Sequence, residues 1–329
     1  MLKLAGKSVL VTGGAGFIGS HLVDRIVREA PGNLVVIDSL FLGKEENLDQ
    51  ARQAFPALKF YWQDASDYEA MERIISSEAV EVVFNLAVAP LPFSLENPRW
   101  AVENNLVITT VVCELLREGH YRTLIHFSSS EAYGSAQYVP MDETHPLLPS
   151  TPYAASKIAG DYVALSYYKT FGVDVAILRP FNNFGPRQNE GSYAGVIPIM
   201  ICRALRGEPV IIYGNGEQTR DFIFVREVAD AAVRIYEEPA TRGQILNIAT
   251  GNEISINRLA RTIFEILDCD VPIRYEACRP GDVLRHCGDA GLARRLIGFE
   301  PQVTFKEGLA ETIFWYGKML AAGRGGNGG

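Results

Sequence analysis

A tyrosine and a lysine four residues apart, Tyr153 and Lys157, could carry out acid–base chemistry on an alcohol. On a helix, the two side chains would project from one face, one turn apart. A neighbouring ammonium favours the phenolate, so the pair predicts a tyrosine pKa below its ordinary value near ~10 and a base that works near neutral pH. The spacing alone occurs by chance in many helices, but a serine-rich segment, Ser128-Ser129-Ser130, precedes it and adds hydroxyl groups.

A glycine-rich segment near the N-terminus, Gly13 to Gly19, predicts a dinucleotide site. It lies between the apolar run Ser8–Thr12 and a helical pattern, so its backbone can approach a pyrophosphate while the helix N-terminus supplies amide donors. Asp38 ends the next predicted strand, at about the ~20-residue spacing expected of a carboxylate that binds the adenosine ribose. A carboxylate there favours NAD over NADP. Asp64 is either a contact for the adenine amino group or an ordinary strand-end cap.

Short apolar runs alternate with helical patterns and predict an α/β fold with a doubly wound parallel sheet. The predicted strands are Ser8–Thr12, Leu34–Asp38, Lys59–Trp62, Val80–Leu86, Leu124–Ser128, Asp174–Leu178, Val210–Tyr213, Ile245–Ile248 and Pro272–Tyr275. The predicted helices are Ser20–Glu29, Tyr68–Ser76, Pro98–Arg117, Pro152–Thr170, Val225–Glu237, Ile256–Leu267 and Phe305–Leu320. We predict a first domain over residues 1–180, to which residues 222–250 return, a smaller α/β lobe over 181–320, and a disordered tail over 321–329.

The composition limits the class of protein. Hydrophobic residues make up 47% and charged residues 21% of 329 residues, and the net charge of -8 argues against nucleic acid or an anionic membrane as a partner. No apolar run approaches the ~18–20 residues of a membrane span, and no signal peptide is evident. The five cysteines contain no C-x-x-C pair and predict reduced thiols in the cytoplasm. The five histidines are scattered, which predicts no metal site.

In combination, the motifs resemble the extended short-chain dehydrogenase/reductase superfamily, specifically its NAD-dependent nucleotide-sugar epimerases and dehydratases. The matching motifs are Gly13–Gly19, Asp38, Asn85-Leu-Ala87, Ser128–Gly134, Tyr153 with Lys157, Arg179-Pro-Phe-Asn182, Gly216–Phe222 and Arg279-Pro-Gly-Asp282. The resemblance implies a Rossmann-type NAD-binding domain and a sugar-nucleotide-binding lobe. It implies that Tyr153 is the general base, that Lys157 lowers the Tyr153 pKa and holds the nicotinamide ribose, and that Ser129 bonds the sugar hydroxyl to be oxidised.

The same resemblance implies two sets of binding residues. Those for NAD are Gly13, Gly16, Phe17, Ile18, Gly19, Asp38, Gly43, Asp64, Ala65, Leu86, Ala87, Ser128, Tyr153, Lys157 and Pro180. Those for the sugar nucleotide are Ser94, Ser129, Ser130, Asn182, Val196, Tyr213, Arg220, Arg279 and Asp282. Tyr213 would stack near the base, and the two arginines would clamp the diphosphate. The alternative for the arginines is a surface ion pair, with Asp221 and Asp282 as available partners.

Two segments depart from the family pattern. The loop after Asp38 reads Ser39-Leu-Phe-Leu, where relatives often carry polar residues that bond the adenosine side of the cofactor. The run Val88–Ser94 is unusually apolar and rich in proline, and it should lie near the sugar. The first departure puts part of the cofactor shell in doubt, and the second indicates a different selection of substrate.

Glu131 distinguishes among the reactions open to a 4-keto sugar. A 4-epimerase needs no further acid or base, whereas a 4,6-dehydratase uses a carboxylate to remove the C5 proton, and decarboxylases of the family also carry a glutamate here. Glu131 favours the latter two, unless it is an exposed strand-end carboxylate. The dTDP-glucose dehydratases have Asp-Glu where this chain has Ser130-Glu131, although the GDP-mannose type has Ser-Glu, and the decarboxylases have an arginine where Cys278 lies.

The segments 191–198, 216–222 and 279–282 resemble those of epimerases. We therefore favour a UDP-hexose or UDP-hexuronate 4-epimerase, then a 4,6-dehydratase, then a UDP-glucuronate decarboxylase. A non-catalytic NAD sensor would not need Ser129, Tyr153 and Lys157 together, and a simple alcohol dehydrogenase would release reduced cofactor. The apolar residues of Pro98–Arg117 and Pro152–Thr170 predict either a homodimer interface or internal core.

Overall fold

A computed structural model of the chain describes residues 1–191, 193–278 and 283–325. Its strands are β1 (Ser8–Thr12), β2 (Asn33–Asp38), β3 (Lys59–Trp62), β4 (Val82–Asn85), β5 (Thr123–Phe127), β6 (Asp174–Pro180), β7 (Asn182–Phe184), β8 (Val210–Tyr213), β9 (Thr219–Arg220), β10 (Phe222–Phe224), β11 (Ile245–Ile248), β12 (Ile254–Ser255) and β13 (Ile273–Glu276). Its helices are α1 (Phe17–Val27), α2 (Asp49–Ala54), α3 (Tyr68–Ser77), α4 (Leu91–Glu96), α5 (Pro98–Arg117), α6 (Pro152–Phe171), α7 (Val196–Leu205), α8 (Val225–Glu237), α9 (Ile256–Leu267), α10 (Gly291–Ile297) and α11 (Phe305–Gly325).

Seven parallel strands form the central sheet, in the order β11-β6-β5-β4-β1-β2-β3. Alternate side chains of β1 pack on opposite faces: Val9 and Val11 belong to the core under α1 and α8, and Leu10 to the core under α3, α5 and α6. The order turns back between β1 and β4, so a crevice opens at the carboxyl ends of these two strands. This architecture confirms the predicted Rossmann-type sheet.

Helix α6 carries the tyrosine–lysine pair and has clear signals at both ends. Thr151 accepts a hydrogen bond from the Ala154 amide at 3.2 Å through its Oγ1, and proline at the first helical position fits the first turn. Gly172 ends the helix with a positive φ of 69°. The helix packs along α5, and its start is thereby fixed beside the end of β5.

The later part of the chain forms three small sheets, β7 with β10, β8 with β13, and β9 with β12. Helices α7, α9 and α11 share a hydrophobic core with them. Strand β11 instead joins the large sheet beside β6, and α8 packs on α1. The division of the chain into two domains stays a prediction.

Some elements differ from those predicted. Helix α4 begins after Pro90, inside the proline-rich run predicted only as an apolar segment, because proline is compatible with the first turn of a helix. Helix α7 was also not predicted. Helix α11 continues to Gly325, so residues 321–325 are helical where a disordered tail was expected, and residues 326–329 lie outside the described residues. Within the described ranges, no helix is long and apolar enough to cross a membrane.

Candidate active site

A cleft of about 610 Å³ lies at the carboxyl ends of the central strands. It has the size of a typical small-molecule site. All fifteen residues predicted to bind NAD line this one cavity, from the Gly13–Gly19 loop on one side to Pro180 on the other. Their contact with a cofactor stays a prediction, but the structure brings the whole set together.

The glycine loop is packed so tightly that side chains would not fit. A Cβ on Gly19 would lie 2.1 Å from the Gly13 carbonyl oxygen, and a Cβ on Gly13 would lie 2.9 Å from the Ala87 amide nitrogen. Gly13 also has a positive φ of 66°, which favours glycine. The loop leads into the N-terminus of α1, where free backbone amides would favour an anion such as a dinucleotide pyrophosphate.

Asp38 lies at the end of β2, 7% exposed, and its carboxylate already holds the surrounding loops. Its Oδ2 accepts from the Ala15 amide at 3.0 Å and its Oδ1 from the Leu40 amide at 2.8 Å. Burial raises the pKa of this carboxyl, and the backbone hydrogen bonds partly oppose that shift. Each oxygen can accept a second hydrogen bond, which is what binding a ribose would require. Asp64 lines the same cavity while its Oδ1 accepts from the Ser66 amide at 2.9 Å.

Tyr153 and Lys157 line the cleft, and Ser129 lies next to Tyr153. The Ser129 side chain is close enough to the Tyr153 hydroxyl to lower the Tyr153 pKa, in opposition to burial. The Lys157 ammonium is 7% exposed and donates to the carbonyl oxygen of Phe127, the last residue of β5. Helix α6 and the end of β5 therefore place a phenol, an alcohol and an amine side by side.

The predicted lowering of the Tyr153 pKa is wrong for this structure. Burial of the hydroxyl raises its pKa to about 12, although the side chain as a whole is only partly buried, and the nearby Glu131 and Asp161 carboxylates add to the shift. Burial also lowers the pKa of Lys157 to about 8, against the opposing effect of Asp161. The reason is that the dry surroundings disfavour both charged forms, while the Lys157 ammonium is held by Phe127.

Asp161 was not predicted as part of the site. It lies one turn beyond Lys157 on α6, is 1% exposed, and its Oδ2 accepts from the Ser128 hydroxyl and the Arg179 guanidinium, each at 2.6 Å. The other oxygen, Oδ1, lies 3.9 Å from Nε2 of the buried His126, and neither atom has a hydrogen-bond partner. The four-residue spacing of Tyr153, Lys157 and Asp161 was the signal available in the sequence.

Glu131 lies in the short turn Ser130–Tyr133 that follows the serine segment. Its amide donates to the Ser129 Oγ at 3.3 Å, and its charge raises the Tyr153 pKa. The carboxylate is therefore within electrostatic reach of the phenol rather than on a remote surface. This placement argues against the alternative of an exposed strand-end carboxylate.

The residues predicted to bind the sugar nucleotide lie on several elements. Asn182 begins β7, Val196 begins α7 and Tyr213 ends β8. Arg220 donates to the carbonyl oxygens of Thr219 and Val283 at 2.9 and 2.6 Å. Asp221, its suggested ion-pair partner, is fully buried and accepts hydrogen bonds from Thr250, Gly251 and Gly288.

Four of the residues predicted to bind the sugar nucleotide are either buried or outside the described residues. Ser94 is fully buried in α4 and its hydroxyl donates to the Leu91 carbonyl at 2.7 Å, so the predicted contact of Ser94 with a sugar is not supported. Ser130 is also buried, and its carbonyl oxygen faces the His286 ring. Arg279 and Asp282 lie outside the described residues. Within the described ranges, no cluster of three metal-ligating side chains occurs.

The two apolar departures from the family pattern meet in space. Phe41, from the loop after Asp38, packs edge-to-face on Phe93 of α4 with ring centroids 5.0 Å apart. Trp100 and Tyr193 contact both rings, and Phe41 and Trp100 also line the cleft. The sequence analysis treated these segments separately, and their long separation in the chain concealed the contact.

Comparisons with known proteins agree with this geometry. A family model described as the NAD dependent epimerase/dehydratase family matches residues 9–249. A putative UDP-glucose 4-epimerase of Methanocaldococcus jannaschii is 35% identical over 312 residues, covering 93% of this chain and 97% of the relative. The solved UDP-glucose 4-epimerase of Thermotoga maritima with UDP-glucose has a TM-score of 0.90 at 35% identity, covering 95% of this chain and 99% of its own.

A dehydratase is similar to a comparable degree. The dTDP-glucose 4,6-dehydratase DesIV of Streptomyces venezuelae, solved with NAD bound, has a TM-score of 0.89 at 32% identity, with coverage of 96% of this chain and 98% of its own. The matches span nearly all of the chain in each case. Epimerases and dehydratases thus share the fold of this chain.

Proposed function

The chain belongs to the NAD dependent epimerase/dehydratase family, and on that premise we propose that it is a nucleotide-sugar 4-epimerase acting on a UDP-hexose or UDP-hexuronate. The observation that carries the proposal is that Tyr153 and Lys157 line the same cleft as the glycine loop, with Ser129 next to the Tyr153 hydroxyl. An enzyme that oxidises and reduces a bound sugar needs this combination of a proton acceptor and a dinucleotide site.

In this proposal each residue has a defined task. Ser129 holds the C4 hydroxyl of the sugar, and Tyr153 accepts its proton. The Lys157 ammonium donates one N–H to the Phe127 carbonyl, so two N–H donors remain for the cofactor ribose and the phenolate oxygen. NAD, held by the glycine loop, Asp38 and Lys157, would supply the acceptor for the C4 hydride, the hydride that reduces the 4-keto sugar, and a positive ring charge. After the 4-keto sugar has turned over, Tyr153 returns the proton and the inverted alcohol leaves.

Dehydration is the second candidate function because of one observation. The Glu131 charge raises the Tyr153 pKa, so a carboxylate lies near the reaction centre. A 4,6-dehydratase needs such a carboxylate to remove the C5 proton, whereas an epimerase does not. Decarboxylation of a UDP-hexuronate is the third candidate.

Product analysis tests these candidates directly. The NAD-loaded protein is incubated with UDP-, dTDP- and GDP-sugars, and products are read by mass spectrometry and NMR. We expect no mass change and inversion at C4 of a UDP-sugar. Loss of water or of carbon dioxide would contradict the epimerase proposal, and sustained accumulation of reduced nicotinamide would identify a simple dehydrogenase.

Two variants test the assigned roles. Tyr153→Phe should abolish turnover while leaving NAD binding nearly intact, and activity above a tenth of wild type, a loss below ~1.4 kcal/mol, would refute the base assignment. Glu131→Gln removes the carboxylate while keeping its shape. It should spare an epimerase and cripple a dehydratase, so its product spectrum separates the first two candidates.

The assembly state belongs to the same proposal. Helices α5 and α6 pack side by side and expose Val107 at 45% and Tyr162 at 61%. We propose that these helices pair with those of a second copy in a cytoplasmic homodimer. Tyr162→Asp should halve the mass measured by light scattering, whereas Phe314→Asp, at an exposed aromatic of α11, should leave it unchanged. A dimer unaffected by Tyr162→Asp would contradict this interface.

A further inference from the structure

We propose that His286 is a positioning residue that orients the Asn182 amide toward the nucleotide sugar and holds β7 against the segment carrying Ser129 and Glu131. The sequence analysis placed His286 among the scattered histidines. The proposal rests on the proposed function, because the family resemblance assigns Asn182 to the substrate of that reaction. The proposal rests on one observation: the buried His286 ring lies between the Ser130 carbonyl and the Asn182 amide and contacts both.

The histidine ring is fully buried and has two hydrogen-bond partners. Its Nε2 lies 3.1 Å from the Ser130 carbonyl oxygen, and its Nδ1 lies 3.1 Å from the Asn182 Nδ2. Burial, with a further contribution from the positive charge of Arg220, lowers its pKa to about 4, so the ring is neutral at physiological pH. A neutral imidazole has one donor and one acceptor.

The two partners decide which nitrogen carries the proton. The Ser130 carbonyl can only accept, so Nε2 must be the donor. Nδ1 is then an acceptor and takes a hydrogen from the Asn182 amide nitrogen. The orientation of the Asn182 side chain follows from this logic rather than from the similar shapes of its nitrogen and oxygen.

The position of His286 is itself fixed by neighbouring backbone. The ring packs on Phe181 with centroids 5.0 Å apart. The Cys287 carbonyl accepts from the Met141 amide at 2.8 Å. The Gly288 amide donates to the buried Asp221 carboxylate at 3.1 Å, and a Cβ on Gly288 would lie 2.5 Å from Ala249. The ring therefore has little freedom to move.

His286 fixes which side of the Asn182 amide offers a hydrogen-bond donor to the substrate and which side offers an acceptor. With one N–H bound to His286, the half-buried Asn182 presents its Oδ1 acceptor and one remaining N–H in a fixed arrangement. This pair suits the junction of a sugar nucleotide, where a hydroxyl donor lies close to anionic phosphate oxygens. Loss of the histidine would let the amide rotate and would loosen Ser130, the neighbour of Ser129.

Two variants separate the two bonds. An asparagine amide reaches about the position of Nδ1, so His286→Asn keeps an acceptor for Asn182 and loses the donor to Ser130. A glutamine amide reaches about the position of Nε2, so His286→Gln keeps the donor to Ser130 and loses the acceptor for Asn182. We expect His286→Gln to raise KM for the nucleotide sugar about tenfold with kcat within about threefold, since loss of ground-state binding acts on KM.

His286→Asn should leave KM within about threefold of wild type and lower kcat, because the Ser129 segment loses its anchor. NAD affinity should be unchanged in both variants. Equal losses in both, accompanied by weaker NAD binding and a lower Tm, would show that the ring only fills space and would overturn the proposal.

A double-mutant cycle gives the decisive test. In an Asn182→Ala background, His286→Gln should have no further effect on KM, because the group that it orients is gone. Additive increases in KM would overturn the proposal. A wild-type protein that binds UDP-glucose but inverts C4 of no UDP-hexose or UDP-hexuronate would remove the proposed function instead. The same cycle would then be read from the affinity of the NAD-loaded protein for UDP-glucose by calorimetry.

Discussion

A base role for Tyr153 predicts that its acidity depends on the bound cofactor. Without NAD its pKa is raised to about 12, chiefly by burial of the hydroxyl. Forming the phenolate at pH 8 would then cost about 5 kcal/mol, which is four pH units at about 1.4 kcal/mol each. The single ammonium nearby, Lys157, has its own pKa lowered to about 8 and does not remove this cost. We therefore expect NAD to lower the Tyr153 pKa by about four units, which would remove this cost.

If NAD lowers the Tyr153 pKa, thermodynamic linkage requires the affinity for NAD to change with pH in a defined direction. A ligand that stabilises the phenolate makes the protein release a proton on binding, so its affinity rises with pH. Between the pKa of the bound and of the free protein, the Kd for NAD should fall by up to about tenfold per pH unit. Tyr153→Phe has no proton to release at this position and should lack this component.

The assay is a pair of NAD titrations by calorimetry over pH 6.5 to 9.5 on cofactor-stripped wild type and Tyr153→Phe. Lys157 titrates within this range in both proteins, so the difference between the two curves isolates Tyr153. We expect the curves to diverge increasingly above neutral pH, with the wild type binding more tightly. Parallel curves would refute the reasoning, because the phenol would then stay protonated beside the cofactor.

Two further perturbations follow from the packing. Gly19→Ala should weaken NAD binding by about 100-fold in equilibrium dialysis, because its Cβ would lie 2.1 Å from the Gly13 oxygen. The control is Gly317→Ala in α11, where a Cβ would have no atom within 4 Å. This control should keep the NAD affinity of wild type and stabilise the helix by up to about 1 kcal/mol. Equal NAD affinities of these two variants would contradict a role of the Gly13–Gly19 loop in binding NAD. Asp161→Asn leaves the buried Arg179 without its carboxylate and should lower the free energy of unfolding in urea by about 3–5 kcal/mol. Adding Arg179→Met should restore more than half of the lost free energy of unfolding. A double variant that restores none of it would contradict an unpaired charge as the cause.

Local patterns predicted the framework of the fold well. Ser8–Thr12 and Lys59–Trp62 are strands with the predicted bounds, and Pro98–Arg117 is a helix with the predicted bounds. These segments carry strong periodicity or end signals that act within a few residues. Helices α4 and α7 were missed because prolines and glycines near their first turns also occur in loops.

The candidate site was also predictable only in part from local sequence patterns. The glycine loop, Asp38 and the spacing of Tyr153 and Lys157 predicted part of the cleft, because they depend on short stretches of chain, and the family resemblance supplied the other lining residues. The pKa of Tyr153 was predicted in the wrong direction, since desolvation depends on everything packed around the hydroxyl. The partners of His286 were also not predictable, because Asn182 and Ser130 are far from it in the chain.

The sequence by itself determined the doubly wound sheet, the dinucleotide loop and the identity of the acid–base pair, because strand period, glycine sterics and helical spacing are local properties. Only the tertiary structure decided how those groups are charged and oriented. Burial, the reach of the Glu131 and Asp161 carboxylates, and the bridge from His286 to Asn182 arise between segments that meet only when the chain is folded. Electrostatics and hydrogen-bond direction depend on distance in space, which the order of residues does not encode directly.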